Sequence, residues 1–175
     1  MGWTGGTISL RNELTQEVVR KHQSDWVSEI EEFRRRILAI APDIQNSLPA
    51  RGDSLDAIEA CANAAKEELD VDADADQVLP SVRLDAFLRV RALILLRRIR
   101  KKEPYNSRAR INDSFDLELL KYLAFPTALC TSDGPLLAAV EITKAWQRSW
   151  MVRPEELSNV DIIERLSKLE WPWFA

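Results

Sequence analysis

The second half of the chain alternates between helix-like and strand-like segments, and this alternation restricts the folds that it can adopt. Apolar residues have the spacing of a short amphipathic helix over 115–123, and Pro126 ends that helix. Residues 127–131 (TALCT) form an apolar run of strand length, a helix is predicted over 136–150, and residues 150–152 have the length of a last short strand. Such alternation is typical of a parallel sheet covered by helices.

The first half has helical periodicity with little sign of strands. Between residues 10 and 40 apolar side chains recur at spacings of three, four or eight, which predicts one long helix that Pro42 stops. Further helices are predicted over 54–69 and 80–99, and the last of these is the most apolar. The predicted fold class is therefore helix-rich α/β, with a small parallel sheet covered by helices and a long, mainly helical span over 21–103.

Length and composition fit one globular domain covering 1–175. The 175 residues can bury a core, and the 46% hydrophobic and 30% charged shares are ordinary for a folded protein. The formal net charge of -4 does not favour broad, non-specific binding of nucleic acid, although a local basic groove is compatible with it.

Several classes of protein and of site are disfavoured by what the chain contains. No run of about 18 apolar residues is present, and the first residues do not resemble a secretory signal, so we expect a cytoplasmic protein that does not bind membranes. His22 is the only histidine, which excludes a multi-histidine metal site. Cys61 and Cys130 have no metal-site spacing and are predicted to be small buried side chains.

Two aspartates of the second half are placed where a metal site can form. Asp113 follows Asn112 at the predicted start of a helix, and Asp133 follows Thr131 just beyond a predicted strand. In an open α/β sheet, ligands gather at the carboxyl ends of the strands. Two carboxylates at that edge could share Mg²⁺ or Mn²⁺, which prefer oxygen ligands. The alternative is that each aspartate only caps a helix.

These motifs resemble a known family. The string from Asn112-Asp113-x-x-Asp116 to Thr131-Ser132-Asp133 is similar to the third and fourth acidic motifs of PIN-domain ribonucleases, in which an aspartate opens a helix and a short strand ends in T-x-D. The continuation over 151–157 (MVRPEEL) resembles the family's last strand and the turn after it. Residues 111–157 are thus identified as a PIN-like carboxyl-terminal half.

The resemblance extends weakly to the beginning of the chain. Residues 7–10, followed by 14–19, are similar to the family's strand and the helix that carries a glutamate near its start. Glu17 would be that glutamate, with Glu13 as a substitute. PIN domains also begin with a strand ending in an aspartate, and no acidic residue precedes Glu13 here. Either the chain starts after that strand, or its acidic site is incomplete.

The resemblance implies a metal-dependent endoribonuclease that hydrolyses RNA. Glu17, Asp113 and Asp133 would be catalytic, and Asp116 would join them in binding Mg²⁺ or Mn²⁺. Seven cations lie within 97–110, more than a helix carboxyl terminus needs to offset its dipole. Phosphate contacts with the RNA backbone are predicted for six of them, Arg97, Arg98, Arg100, Lys101, Arg108 and Arg110.

Two other interpretations remain open. In the first, a catalytically degenerate PIN-like domain binds another protein or a second copy of itself through the aromatic tail 171–174 or the helical span 21–103. In the second, the chain is an all-helical module unrelated to PIN domains, and residues 127–131 belong to a loop or a helix end. A parallel sheet at 127–131 would exclude the second interpretation.

Overall fold

The structure is a computed structural model that describes most of the chain. The described residues are 12–40, 42–43, 46, 48, 54–70, 80–100, 113–125 and 127–168. The predicted strand over 7–10, the cations Lys101, Arg108 and Arg110, and the aromatic tail 171–174 lie outside them.

The described part of the first half is helical, in agreement with the apolar periodicity. It contains helices α1 (Asn12–Ile40), α2 (Leu55–Asp70), α3 (Pro80–Arg83) and α4 (Asp85–Arg100). The predicted helix over 80–99 is therefore divided in two at Leu84. The buried amide of Gln147 binds at this division: its Oε1 accepts from Ala86 N at 3.1 Å, and its Nε2 donates to Arg83 O at 3.0 Å.

The second half contains the predicted parallel sheet, which consists of two strands of two residues each. Its elements are α5 (Asp113–Lys121), a 3₁₀ turn (Tyr122–Ala124), β1 (Leu129–Cys130), α6 (Gly134–Ile142), a 3₁₀ turn (Trp146–Trp150), β2 (Met151–Val152), a 3₁₀ turn (Pro154–Ser158) and α7 (Val160–Ser167). Strands β1 and β2 pair in parallel, with Leu129 opposite Met151 and Cys130 opposite Val152. The helix-rich α/β class is confirmed, and the all-helical interpretation is wrong.

The predicted helix over 136–150 is too long. Helix α6 ends at Ile142, and Lys144 then adopts a left-handed φ of 52° that turns the chain out of the helix. The side chain of Thr143 helps to end it by donating to Val140 O at 2.9 Å. Trp146 and Trp150 follow in a 3₁₀ turn, where their rings make an edge-to-face contact with centroids 4.3 Å apart.

The sequence also predicts a last helix after residues 154–157, with Ser158 as its cap, but the structure begins this helix differently. Ser158 and Asp161 have the spacing of a capping box, but Ser158 ends the preceding 3₁₀ turn. Asn159 caps α7 instead, and its Oδ1 accepts from Asp161 N at 2.9 Å.

Helix α4 lies between two groups of core residues, as expected for the most apolar helix. One group joins it to α1, α5, α6 and β2 through Ile30, Val90, Leu117, Val140 and Met151, among others. The other joins it to α2 through side chains such as Ile58, Ala62, Leu93, Leu96 and Ile99. In the described residues, no helix is both long and apolar enough to cross a membrane.

Candidate acidic site

The backbone places Asp133 directly after the carboxyl end of β1. Thr131 N donates to Val152 O at 2.9 Å, which extends the pairing of the two strands by one hydrogen bond. Asp133 N then donates to Thr131 Oγ1 at 3.1 Å. The Asp133 side chain caps α6, because its Oδ1 accepts from Leu136 N at 2.9 Å. Capping occupies one carboxylate oxygen of the two.

Asp113 and Asp116 both lie in the first turn of α5. Asp113 begins the helix, as predicted, and Asp116 follows three residues later on the same side. Asp113 Oδ2 lies 3.8 Å from Arg98 Nη2, and the Arg98 side chain is only 7% exposed. The helix amino terminus also favours negative charge in this turn.

The electrostatics show that the three aspartates lie near one another. Burial, followed by the negative charges of Asp133 and Asp113, raises the pKa of Asp116 to about 6. Burial is the largest cause of this rise, and the negative charges of the two other aspartates add to it. The fold thus brings together a helix start and a strand end that are at least 17 residues apart in sequence.

The carboxylate oxygens of this site suit a hard cation. The aspartates are, however, more widely spaced than a set of side chains that all bind one ion directly. Carboxylate oxygens are the ligands that Mg²⁺ and Mn²⁺ prefer. Among the described residues, however, no group of three acidic, cysteine or histidine side chains is arranged to hold one ion directly. An ion such as Mg²⁺, which keeps several of its waters, needs fewer direct protein ligands.

Glu17 lies on α1 with an exposed side chain. The carboxylates that act on Asp116 are those of Asp133 and Asp113, so a role for Glu17 in this site stays a prediction. The side chain of Glu13 is outside the described part of the structure.

The basic end of α4 is divided between two environments. Arg97 and Arg100 are half-buried, whereas Arg98 is buried and faces Asp113. Arg98 therefore belongs to the acidic site and not to a surface that an RNA backbone could reach. The sequence contained a signal for this placement, since Arg98 follows the buried Leu95 by three residues and so shares the apolar face of α4.

The two cysteines have different environments. Cys61 is half-buried on α2, whereas Cys130 is exposed, contrary to the prediction that both are buried. Successive side chains of a strand point to opposite faces, so the partial burial of Leu129 leaves Cys130 facing outward.

Comparison of the chain with protein families, with curated proteins and with solved structures found no match. The likeness to PIN domains therefore rests on the motifs and on the grouping of the three aspartates.

Proposed function

We propose that this protein is a PIN-like, metal-dependent endoribonuclease that hydrolyses RNA phosphodiesters. The proposal is supported above all by the effect of Asp133 and Asp113 on the pKa of Asp116, because the three positions belong to the acidic motifs on which the resemblance depends. Asp113, Asp116 and Asp133 would hold Mg²⁺ or Mn²⁺, with Glu17 as a further carboxylate. Such an ion supplies charge stabilisation and an activated water for attack on a phosphodiester.

The raised pKa of Asp116 favours a functional role for the three aspartates. Three acids and one buried arginine leave a net negative charge, and Asp116 is harder to ionise because it is partly buried and because Asp133 and Asp113 are also negative. Groups with strongly shifted pKa values cluster at functional sites. A divalent cation would remove this repulsion, so the fold should gain stability when the ion binds.

The RNA contacts would come from the basic end of α4 and the segment after it. Arg97 and Arg100 would approach the phosphates together with Lys101, Arg108 and Arg110. Arg98 has a different part in the proposal: it would hold Asp113 in place and limit the net charge of the site.

The test is calorimetric titration of Mn²⁺ into the wild type, Asp113→Asn and Asp133→Asn, followed by cleavage of single-stranded RNA with and without EDTA. Binding that both substitutions abolish, with EDTA-sensitive cleavage, is the expected result. Glu67→Gln, which changes an exposed carboxylate on α2, should leave both properties unchanged. Undiminished cleavage by the Asp113→Asn, Asp133→Asn double variant would refute the proposal.

A second candidate function is a degenerate PIN-like domain that binds another protein or a second copy of itself. It is favoured by the open spacing of the aspartates and by the guanidinium of Arg98 beside Asp113. Apolar side chains are also prominent on the surface, with Tyr122 61%, Phe125 62% and Val160 74% exposed. Exposed apolar side chains of this size can contribute to protein interfaces.

The two candidates differ in their response to metal and in their assembly. The degenerate domain should bind no Mn²⁺ at millimolar concentration and should form a stable complex or homodimer. Removal of residues 171–175 should weaken that assembly, as measured by light scattering after size-exclusion chromatography. A monomer that is unchanged by this truncation would count against the second candidate.

A further inference from the structure

A cavity of about 700 Å³ lies between α1, α2 and α4, within the first half of the chain. Its wall is mostly apolar and includes Phe33, Ile37, Leu95, Leu96, Ala60 and Ala64. The α2 side of this wall carries alanines and Cys61, and these small side chains leave space that larger ones would fill. Both the volume and the apolar wall are typical of sites for small molecules.

The charged residues at the cavity cancel one another. Arg36 Nε donates to Glu32 Oε1 at 2.6 Å, and Arg91 forms an ion pair with Glu29. These four residues are the charged members of the cavity lining in the described structure, so the lining carries no net charge. A charged group of a ligand would meet only cations and anions that are already paired with one another, so it would gain no net counter-charge in return for the water that it loses.

The wall of the cavity is not built by the three helices alone. Leu48, from the connection between α1 and α2, also lines the cavity, so its walls come from four segments of the chain.

We propose that this cavity binds an uncharged, mainly apolar small molecule, of the class of long-chain alcohols and similar neutral lipids. The apolar body would lie against the helical walls, and a neutral polar group would accept hydrogen bonds from Arg36 or Arg91 at the charged margin. This site lies apart from the acidic site and does not depend on the nuclease proposal.

Cys61 provides a reporter inside the cavity. Burial raises the pKa of its thiol, with the charge of Arg91 acting in the opposite direction, so the thiol should react slowly with maleimides. Cys130 is exposed and provides the fast reference in the same molecule. A bound ligand should slow the labelling of Cys61 and leave that of Cys130 unchanged.

The first experiment is titration with the uncharged fluorophore N-phenyl-1-naphthylamine, followed by competition. Saturable binding is expected, with displacement by dodecanol. Dodecanoate and dodecylammonium should displace the fluorophore at least about tenfold more weakly, because each carries a charge that the neutral lining does not balance. Equal displacement by all three, or the absence of saturable binding, would overturn the proposal.

A matched pair of substitutions on α2 tests the location. Ala64 is exposed and lines the cavity, so Ala64→Trp should fill the space and weaken fluorophore binding at least about tenfold. Asn63 is the adjacent exposed residue and lies outside the cavity wall, so Asn63→Trp should bind as the wild type does. Equal binding by both variants would overturn the proposal. So would a dimer of the wild type that Ala64→Trp dissociates, because the cavity would then be an interface between copies.

Discussion

The two ends of α4 differ in how the charges of the nearby carboxylates are balanced. At its start, Asp85 Oδ1 accepts from Lys66 Nζ at 2.7 Å and from Arg89 Nε at 2.9 Å. Arg89 also donates to Glu59 Oε1 at 3.1 Å, so two acids meet two bases. Near the end of α4, Arg98 is the basic residue beside Asp113, in a group with Asp116 and Asp133.

The pKa values follow this difference in charge balance. Burial alone would lower the pKa of Arg89, but the hydrogen bonds and charges of Asp85 and Glu59 outweigh burial and raise it. In the acidic site, burial and like charges act together to raise the pKa of Asp116. The charges of the first cluster are balanced within the fold, whereas the second retains a net negative charge. A retained charge of this kind is what a cation-binding site requires.

The largest expected effect comes from removing Asp85 from the cluster that it forms with Lys66, Arg89 and Glu59 at the start of α4. Asp85→Ala should lower the free energy of unfolding by about 3 kcal/mol, because the ion pairs of Lys66 and Arg89 lose a buried partner. Urea unfolding at pH 7 measures this loss. Glu164→Gln removes the exposed pair with Lys168 and should change stability by less than about 0.5 kcal/mol. A loss below about 1 kcal/mol for Asp85→Ala would show that the cluster does not stabilise the fold.

A smaller loss is expected from removing the arginine of the acidic site. Arg98→Met should cost about 2 kcal/mol at pH 8, since Asp113 would lose its nearby cation while the repulsion among the acids remains. The loss should be smaller at pH 4, where the aspartates are partly protonated. Arg36→Met, at an exposed arginine, should have little effect at either pH. A loss that is equal at both pH values would mean that Arg98 acts by packing alone.

Much of the fold could be predicted because it depends on local patterns. Pro42 and the apolar spacing before it fix the end of α1, and the short apolar run before Asp133 predicted β1 to within two residues at each end. The end of α6 could not be predicted, because no helix-breaking residue lies near Ile142. Lys144 adopts its left-handed φ where tertiary packing, including the buried Gln147 amide, fixes the following turn.

The candidate site was only partly predictable for a related reason. Asp113 and Asp133 could be found because capping positions and strand ends have sequence signatures. Helical periodicity places Arg98 on the apolar face of α4, but it does not specify which helix packs against that face. Its pairing with Asp113 therefore required the structure.

Neutralising Asp116 should stabilise the protein. The pKa of Asp116 is about 6 in the folded state against 3.8 as the reference value, so the folded state binds more protons between these pH values. Stability should therefore fall as the pH rises from 4 to 6 and then level off. The shift corresponds to about 3 kcal/mol without screening, and solvent screening should leave about 1 kcal/mol.

Asp116→Asn should thus gain about 1 kcal/mol at pH 8 and nothing at pH 4, as measured by urea unfolding. Glu67→Gln should show no such pH-dependent gain. Destabilisation by Asp116→Asn at pH 8 would contradict the view that Asp116 carries repulsion. In that case the carboxylates at the end of α4 would not repel one another, and the two ends of the helix would not differ in charge balance.

The smallest expected effect distinguishes the helix-capping role of Asp133 from the action of its charge on Asp116. Asparagine caps helices about as well as aspartate does, so Asp133→Asn should keep the bond from Leu136 N and change stability by less than about 0.5 kcal/mol. Asp133→Ala should lose about 1 kcal/mol, because the cap itself is removed. Both substitutions remove the charge that acts on Asp116, so both should reduce the fall in stability between pH 4 and 6. If neither variant altered that pH dependence, Asp133 would be a helix cap alone, and the proposed metal site would lose the carboxylate that joins the strand to the helix.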